Sequence, residues 1–142
     1  MRAVGIDLGS KRIGVAVSSG TLATPYEVVA RSGDVRRDHR AIAALVAETE
    51  AEVVVVGLPL SLDGSEGPAA RAVRIEVEQL AATLDVPVET YDERLTTVTA
   101  DRQLMEQGMN ASARRRVVDK VAASVLLQAW LDAQTPPPHR GD

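Results

Sequence analysis

Cysteine and phenylalanine are absent from this chain, tryptophan occurs once and tyrosine twice. Without thiols there is neither a disulfide scaffold nor a thiolate zinc site. So few aromatic rings argue against a stacking platform for single-stranded bases. The only histidines are His39, in a charged stretch, and His139, in a proline-rich tail, so neither reads as an essential base. No apolar run approaches the roughly 20 residues of a membrane-spanning helix. Met1-Arg2-Ala3-Val4 enters a strand pattern at once and shows no secretory leader. The expectation is a cytoplasmic protein with no membrane partner.

What is present fits a single domain. A chain of 142 residues can bury a core without disulfides. Residues 2–8 and 12–19 read as strands around Gly9-Ser10-Lys11, with Ile13, Val15 and Val17 alternating against Gly14, Ala16 and Ser18. A third strand is expected over 26–31, after a break at Thr24-Pro25, and completes an antiparallel meander. Residues 38–50 carry Ile42, Leu45, Val46 and Thr49 at helical spacing. Val53-Val54-Val55-Val56 then reads as a strand buried on both faces. A loop over 57–67 leads to a helix opened by Pro68, with a stripe of Val73, Val77, Leu80 and Leu84 and a surface pair Arg74–Glu78. A strand over 86–91, a helix over 96–107 capped by Gly108, and a last helix over 116–133 follow. The fold class expected is α/β: a five-stranded mixed sheet, three antiparallel strands then two parallel, with helices on both faces. Residues 1–134 form the domain and 135–142 a disordered tail.

The formal net charge is −4, which argues against a general nucleic-acid coat. Arginine nevertheless gathers at Arg36, Arg37 and Arg40, at Arg71 and Arg74, and at Arg114-Arg115-Arg116. Local phosphate docking on an otherwise acidic protein suits that distribution. Lys11, Arg12 and Arg94 join Arg71, Arg74 and Arg114–Arg116 as candidate substrate contacts.

The acids are more informative. Asp7 interrupts the apolar strand Val4-Gly5-Ile6-Asp7-Leu8-Gly9 and shares a strand face only with Gly5 and Gly9. An ionised carboxylate beside a core is costly unless a cation or dense hydrogen bonding compensates it. Asp92-Glu93 ends a second strand; one of the two is expected to be structural, with Glu93 the favoured ligand and Asp92 in reserve. At about 100° per residue, Asp119 falls within about 20° of Leu126 and Trp130, on the buried stripe of the last helix. Its bland alternative is compensation of the helix dipole. Three such acids suit Mg2+ or Mn2+, which take carboxylate, water and phosphate oxygens. Two such ions about 3.5–4 Å apart activate water and stabilise the leaving oxygen of a phosphodiester. The loop from Gly57 to Gly67 exceeds the usual strand-to-helix connection. Its glycines, Gly57 and Gly64 among them, would let backbone amides approach a phosphate.

Four blocks resemble the motifs of the YqgF/RuvX family, in the right order and over nearly the whole chain. They are Gly5-Ile6-Asp7-Leu8-Gly9-Ser10-Lys11-Arg12-Ile13-Gly14-Val15-Ala16-Val17-Ser18, Val55-Val56-Gly57-Leu58-Pro59-Leu60-Ser61-Leu62-Asp63-Gly64-Ser65-Glu66, Asp92-Glu93-Arg94-Leu95-Thr96-Thr97, and Val118 to Gln128. The resemblance implies a ribonuclease H-like fold and a metal-dependent nuclease acting on nucleic acid. Maturation of the pre-16S ribosomal RNA end is the first expectation, and Holliday-junction cleavage of branched DNA the alternative. It carries catalytic and metal-binding roles to Asp7, Glu93 and Asp119. Lys120 and Val121 replace residues often seen in the fourth motif. Related resolvases carry an acid at the end of the fourth strand, where this chain reads Gly57-Leu58-Pro59; Asp63 is a weak substitute from the loop. A homodimer is left open.

Two other classes remain. Asp7-x-Gly-Ser also resembles the phosphate loop of actin-like ATPases and sugar kinases, which need two such domains. A non-catalytic RNA-binding assembly factor is the third reading, against which the three intact acids count.

Overall fold

In the computed structural model, residues 1–61, 63–95 and 111–134 are described, without the side chains of Leu95 and residues 111–120. The elements are β1 (Ala3–Leu8), β2 (Arg12–Ser19), β3 (Leu22–Ala30), α1 (Val35–Thr49), β4 (Val53–Leu58), α2 (Pro68–Thr83), β5 (Val88–Asp92), a 3-10 turn (Glu93–Leu95) and α3 (Ala111–Gln134). The strands form one sheet in the order β3-β2-β1-β4-β5. β2 runs antiparallel to both of its neighbours, β1 and β3, while β4 runs parallel to β1 and β5 parallel to β4. This is the mixed sheet expected.

The four-valine run shows why helices cover both faces. Val54 and Val56 join Val4, Ile6, Ile13 and Val15 under Ile42 and Val46 of α1 and Leu80 of α2. Val53 and Val55 join Ala3 and Ala16 under Ala123, Leu127, Trp130 and Leu131 of α3. A strand with two buried faces has no polar side, so the alternation seen in β2 is lost in β4.

On the α3 side the contact is close. A Cβ on Gly5 would lie 2.7 Å from Leu127 Cβ and 3.0 Å from the Ala123 carbonyl. The missing side chain is therefore what lets α3 rest directly on β1. Gln128 fixes the direction of the helix. Its Oε1 accepts from the Ala23 amide and its Nε2 donates to the Thr21 carbonyl, both at 2.9 Å. Those residues sit at the β2–β3 turn, level with the amino end of β1, where Ser18 accepts from the Ala3 amide at 2.8 Å. From Gln128 back to Ala123, α3 thus travels toward the carboxyl end of β1.

Several boundaries differ from expectation. Thr24-Pro25 is no break: β3 begins at Leu22, and Tyr26 is the extra residue of a bulge between the pairs Val15–Glu27 and Ala16–Pro25. Proline survives there because β3 is an edge strand whose missing N–H weakens no central ladder. Helix α1 starts at Val35, not Asp38, because Asp34 caps it by accepting from the Arg37 amide. It ends at Thr49, with Glu50 in the left-handed region at φ 57°. Strand β5 starts at Val88, after Pro87, and α3 begins at Ala111, five residues ahead of the expected start. The expected helix over 96–107 and the tail over 135–142 lie outside the described residues.

Candidate active site

Asp7 is the penultimate residue of β1 and only 4% exposed. It pairs with Gly14 across the β1–β2 ladder and shares its face with Ala3 and Gly5, beneath α3. The chain then turns at once, the Gly9 amide donating to the Asp7 carbonyl at 3.0 Å. A Cβ at Gly9 would fall 2.4 Å from the Arg12 carbonyl, so the tightness of this turn requires glycine.

Glu93 opens the 3-10 turn after β5 and is 9% exposed. Its seat is Gly57. A Cβ on Gly57 would lie 2.6 Å from Glu93 Oε1 and 3.0 Å from Glu93 Cγ. Gly57 follows Val53 and Val55 on the face of β4 that α3 covers. The β1–β4 register pairs Ile6 with Val56, so Asp7 and Gly57 come next on strands about 4.8 Å apart. The Glu93 carboxylate therefore lies over Gly57, beside Asp7 and on the same face of the sheet. Gly57 was expected to bring its amide to a phosphate; the structure shows it making room for an acid.

Asp92 takes the structural role. Its Oδ1 accepts from the Arg94 amide at 2.9 Å, and its carboxylate holds Arg94 Nε and Nη2 at 3.0 and 2.6 Å. The Arg94 guanidinium holds the Asp92 carboxyl below the usual carboxylate range. This fork answers which acid Arg94 pairs with and leaves Glu93 directed at Gly57. The Arg94 guanidinium also covers Gly64, whose φ is +87° and whose Cβ position would lie 3.3 Å from Arg94 Nη1. The loop after β4 is thereby docked against the turn after β5. Asp63 closes that loop upon itself. It accepts from the Ser65 hydroxyl at 2.6 Å and the Ser65 amide at 2.9 Å, which hold its carboxyl low. It does not join Asp7 and Glu93.

Asp119 lies on α3 one turn before Ala123, but its side chain is outside the described residues, as are those of Arg114, Arg115 and Arg116. Among the described residues no group of three metal-ligating side chains forms. Lys11 and Arg71 are exposed, and Arg12 is partly buried in β2. Arg74 pairs with Glu66, in the loop before α2, rather than with the expected Glu78.

His39 is not in a solvated charged stretch: it is 2% exposed, with Nε2 2.8 Å from Glu76 Oε2. The signal was present in the spacing, since His39, Ile42 and Val46 fall on one helical stripe. Arg31, which binds the same carboxylate, had no such signal.

A mixed five-stranded sheet in the order β3-β2-β1-β4-β5, with helices on both faces, is the ribonuclease H-like fold. The sheet and its helices align with the resolvase RuvC of Thermus thermophilus bound to a Holliday junction, with a TM-score of 0.62 at 23% identity over 94% of this chain and 95% of that one. The family model described as "RuvX: Holliday junction resolvase" matches residues 1–133, and the chain belongs to that family. It is 49% identical over 138 residues to a candidate pre-16S rRNA nuclease of Myxococcus xanthus, covering 96% of this chain and 91% of the relative. A protein of the same name from a Mycobacterium species is 50% identical over 134 residues, covering 92% and 79%.

Proposed function

We propose that this chain is a divalent-metal nuclease that matures the end of the pre-16S ribosomal RNA in the cytoplasm, with Asp7, Glu93 and Asp119 as its ligands. The observation that carries the reading is the seating of Glu93 over Gly57, beside Asp7. Two carboxylates brought together out of water repel unless a cation or a proton is shared between them. An all-oxygen, anionic set fits Mg2+ or Mn2+. Bound there, a pair of such ions would supply an activated water and charge stabilisation at the leaving oxygen. The direction of α3 supports Asp119 as third ligand, since one turn back from Ala123 leads toward the Asp7 end of β1.

The chain's own residues then have distinct tasks. Asp7 and Glu93 hold negative charge on one face. The Asp92–Arg94 fork fixes the turn from which Glu93 projects. Lys11, Arg71 and the arginines at the start of α3 meet substrate phosphates. The names of the relatives favour precursor rRNA, while branched DNA is the second substrate reading, favoured by the family description. A purely RNA-binding role is the weaker account, because it gives Gly57 no reason to vacate space for a carboxylate.

The test is to incubate the purified protein with pre-16S rRNA fragments and with four-way junction DNA, each with and without Mn2+. Metal-dependent cleavage of the RNA is expected, and Asp7→Asn should abolish it with the fold intact, since the amide keeps the shape and loses the charge. Full turnover by Asp7→Asn would remove Asp7 from the chemistry.

A further inference from the structure

The turn that follows Asp7 is held by a residue far along the chain. Arg31, just past the end of β3, donates from its backbone amide to the Lys11 carbonyl at 3.0 Å. Its Nε donates to the Gly9 carbonyl at 2.8 Å. The two ends of Gly9-Ser10-Lys11 are thus fastened to one amino acid. The rest of the guanidinium is spent on α2: Nη1 and Nη2 donate to Glu76 Oε2 and Oε1 at 2.8 and 2.9 Å. Buried His39 of α1 meets the same carboxylate at 2.8 Å. Burial raises the Glu76 carboxyl, but the hydrogen bonds from Arg31 and His39 outweigh it and bring it below its ordinary value.

We propose that Arg31 is a positioning residue for Asp7: it clamps the Gly9–Lys11 turn, with Glu76 and His39 holding its guanidinium in place. The proposal rests on the reading of Asp7 as a metal ligand. Only arginine offers a fork for a carboxylate and a third donor aimed sideways at a carbonyl. A lysine ammonium cannot serve Gly9 and both Glu76 oxygens in this geometry. Fixing the carbonyl of Gly9 fixes the turn within which the Gly9 amide donates to the Asp7 carbonyl. A loosened turn leaves the Asp7 carboxylate buried yet poorly aimed, and misplacement by about 1 Å costs about a hundredfold in rate.

The experiment compares wild type with Arg31→Met, Arg31→Lys and Glu76→Gln, the last guarding against a failure of the arginine variants to fold. Amide exchange is measured in metal-free protein, Mn2+ affinity by calorimetry, and kcat and KM on a cleavable oligonucleotide. Faster exchange confined to Gly9–Lys11 is expected in both arginine variants, and to a smaller degree in Glu76→Gln. Mn2+ affinity and kcat should fall while KM holds. Turn amides exchanging as in wild type overturn the clamp, and so does full rescue by lysine. A loosened turn with wild-type Mn2+ affinity overturns the positioning role. If wild type itself neither binds Mn2+ nor cleaves, the nuclease reading fails, and the exchange measurement still decides the clamp.

Discussion

At the scale of single residues, the site depends as much on what glycine omits as on what the acids supply. Gly57 is the sharpest case. A methyl group there meets mainly the far end of the Glu93 side chain, which can swing aside. Gly57→Ala should therefore fold, at a stability cost within the range of about 1–3 kcal/mol for overpacking. The displaced carboxylate should nevertheless lower cleavage by about a hundredfold, as a misplacement of about 1 Å does. Equilibrium unfolding together with single-turnover cleavage would show the two effects apart. If activity fell only in proportion to stability, Gly57 would be a packing residue and no more. The burial of Asp7 was legible in the sequence, because a charge inside an apolar strand breaks a pattern. The contacts around it were not: Glu93 meets Gly57, and Arg31 meets Gly9, across strands that only the folded sheet brings together.

At the scale of elements, the strand faces were readable wherever one face differed from the other. The alternation of β2, the double burial of β4 and the stripe of α2 all followed from period and composition. The misreadings share a cause, which is tertiary context overriding a local signal. Pro25 reads as a break, yet an edge strand absorbs it as a bulge. His39 reads as solvated among arginines, yet it stands on the buried stripe of α1 opposite Glu76. Helix α3 carries its own prediction. A side chain at Gly5 would collide with Leu127 Cβ and the Ala123 carbonyl, neither of which can move without the helix. Gly5→Ala should cost about 1–3 kcal/mol. Unlike a remote core substitution of equal cost, it should also weaken Mn2+ binding, because the same helix carries Asp119. Denaturant unfolding and calorimetric titration test the pairing, and unchanged metal affinity would detach Asp119 from the site.

At the scale of the whole molecule, a net charge of −4 has to be reconciled with a polyanionic substrate. The arginine runs are the available answer, and Arg114, Arg115 and Arg116 stand on the early turns of the helix that later passes over Gly5. Replacing all three with alanine is expected to weaken nucleic-acid binding and make its salt dependence shallower. For every phosphate no longer neutralised, the log–log slope should shrink by about 0.7 on single strands or 0.9 on duplex. Metal affinity should stay near wild type. Binding isotherms over a salt series decide the matter, and a wild-type slope would leave the three arginines as a solvated face, with entry past Arg71 instead.

The space above Gly57 is filled by the Glu93 side chain. A side chain at the end of β4 and the Glu93 carboxylate would compete for that space, since a Cβ at residue 57 would lie 2.6 Å from Glu93 Oε1. A substitution at Gly57 should therefore be tolerated best in company with a change at Glu93, and relatives in which the two vary independently would sever the link.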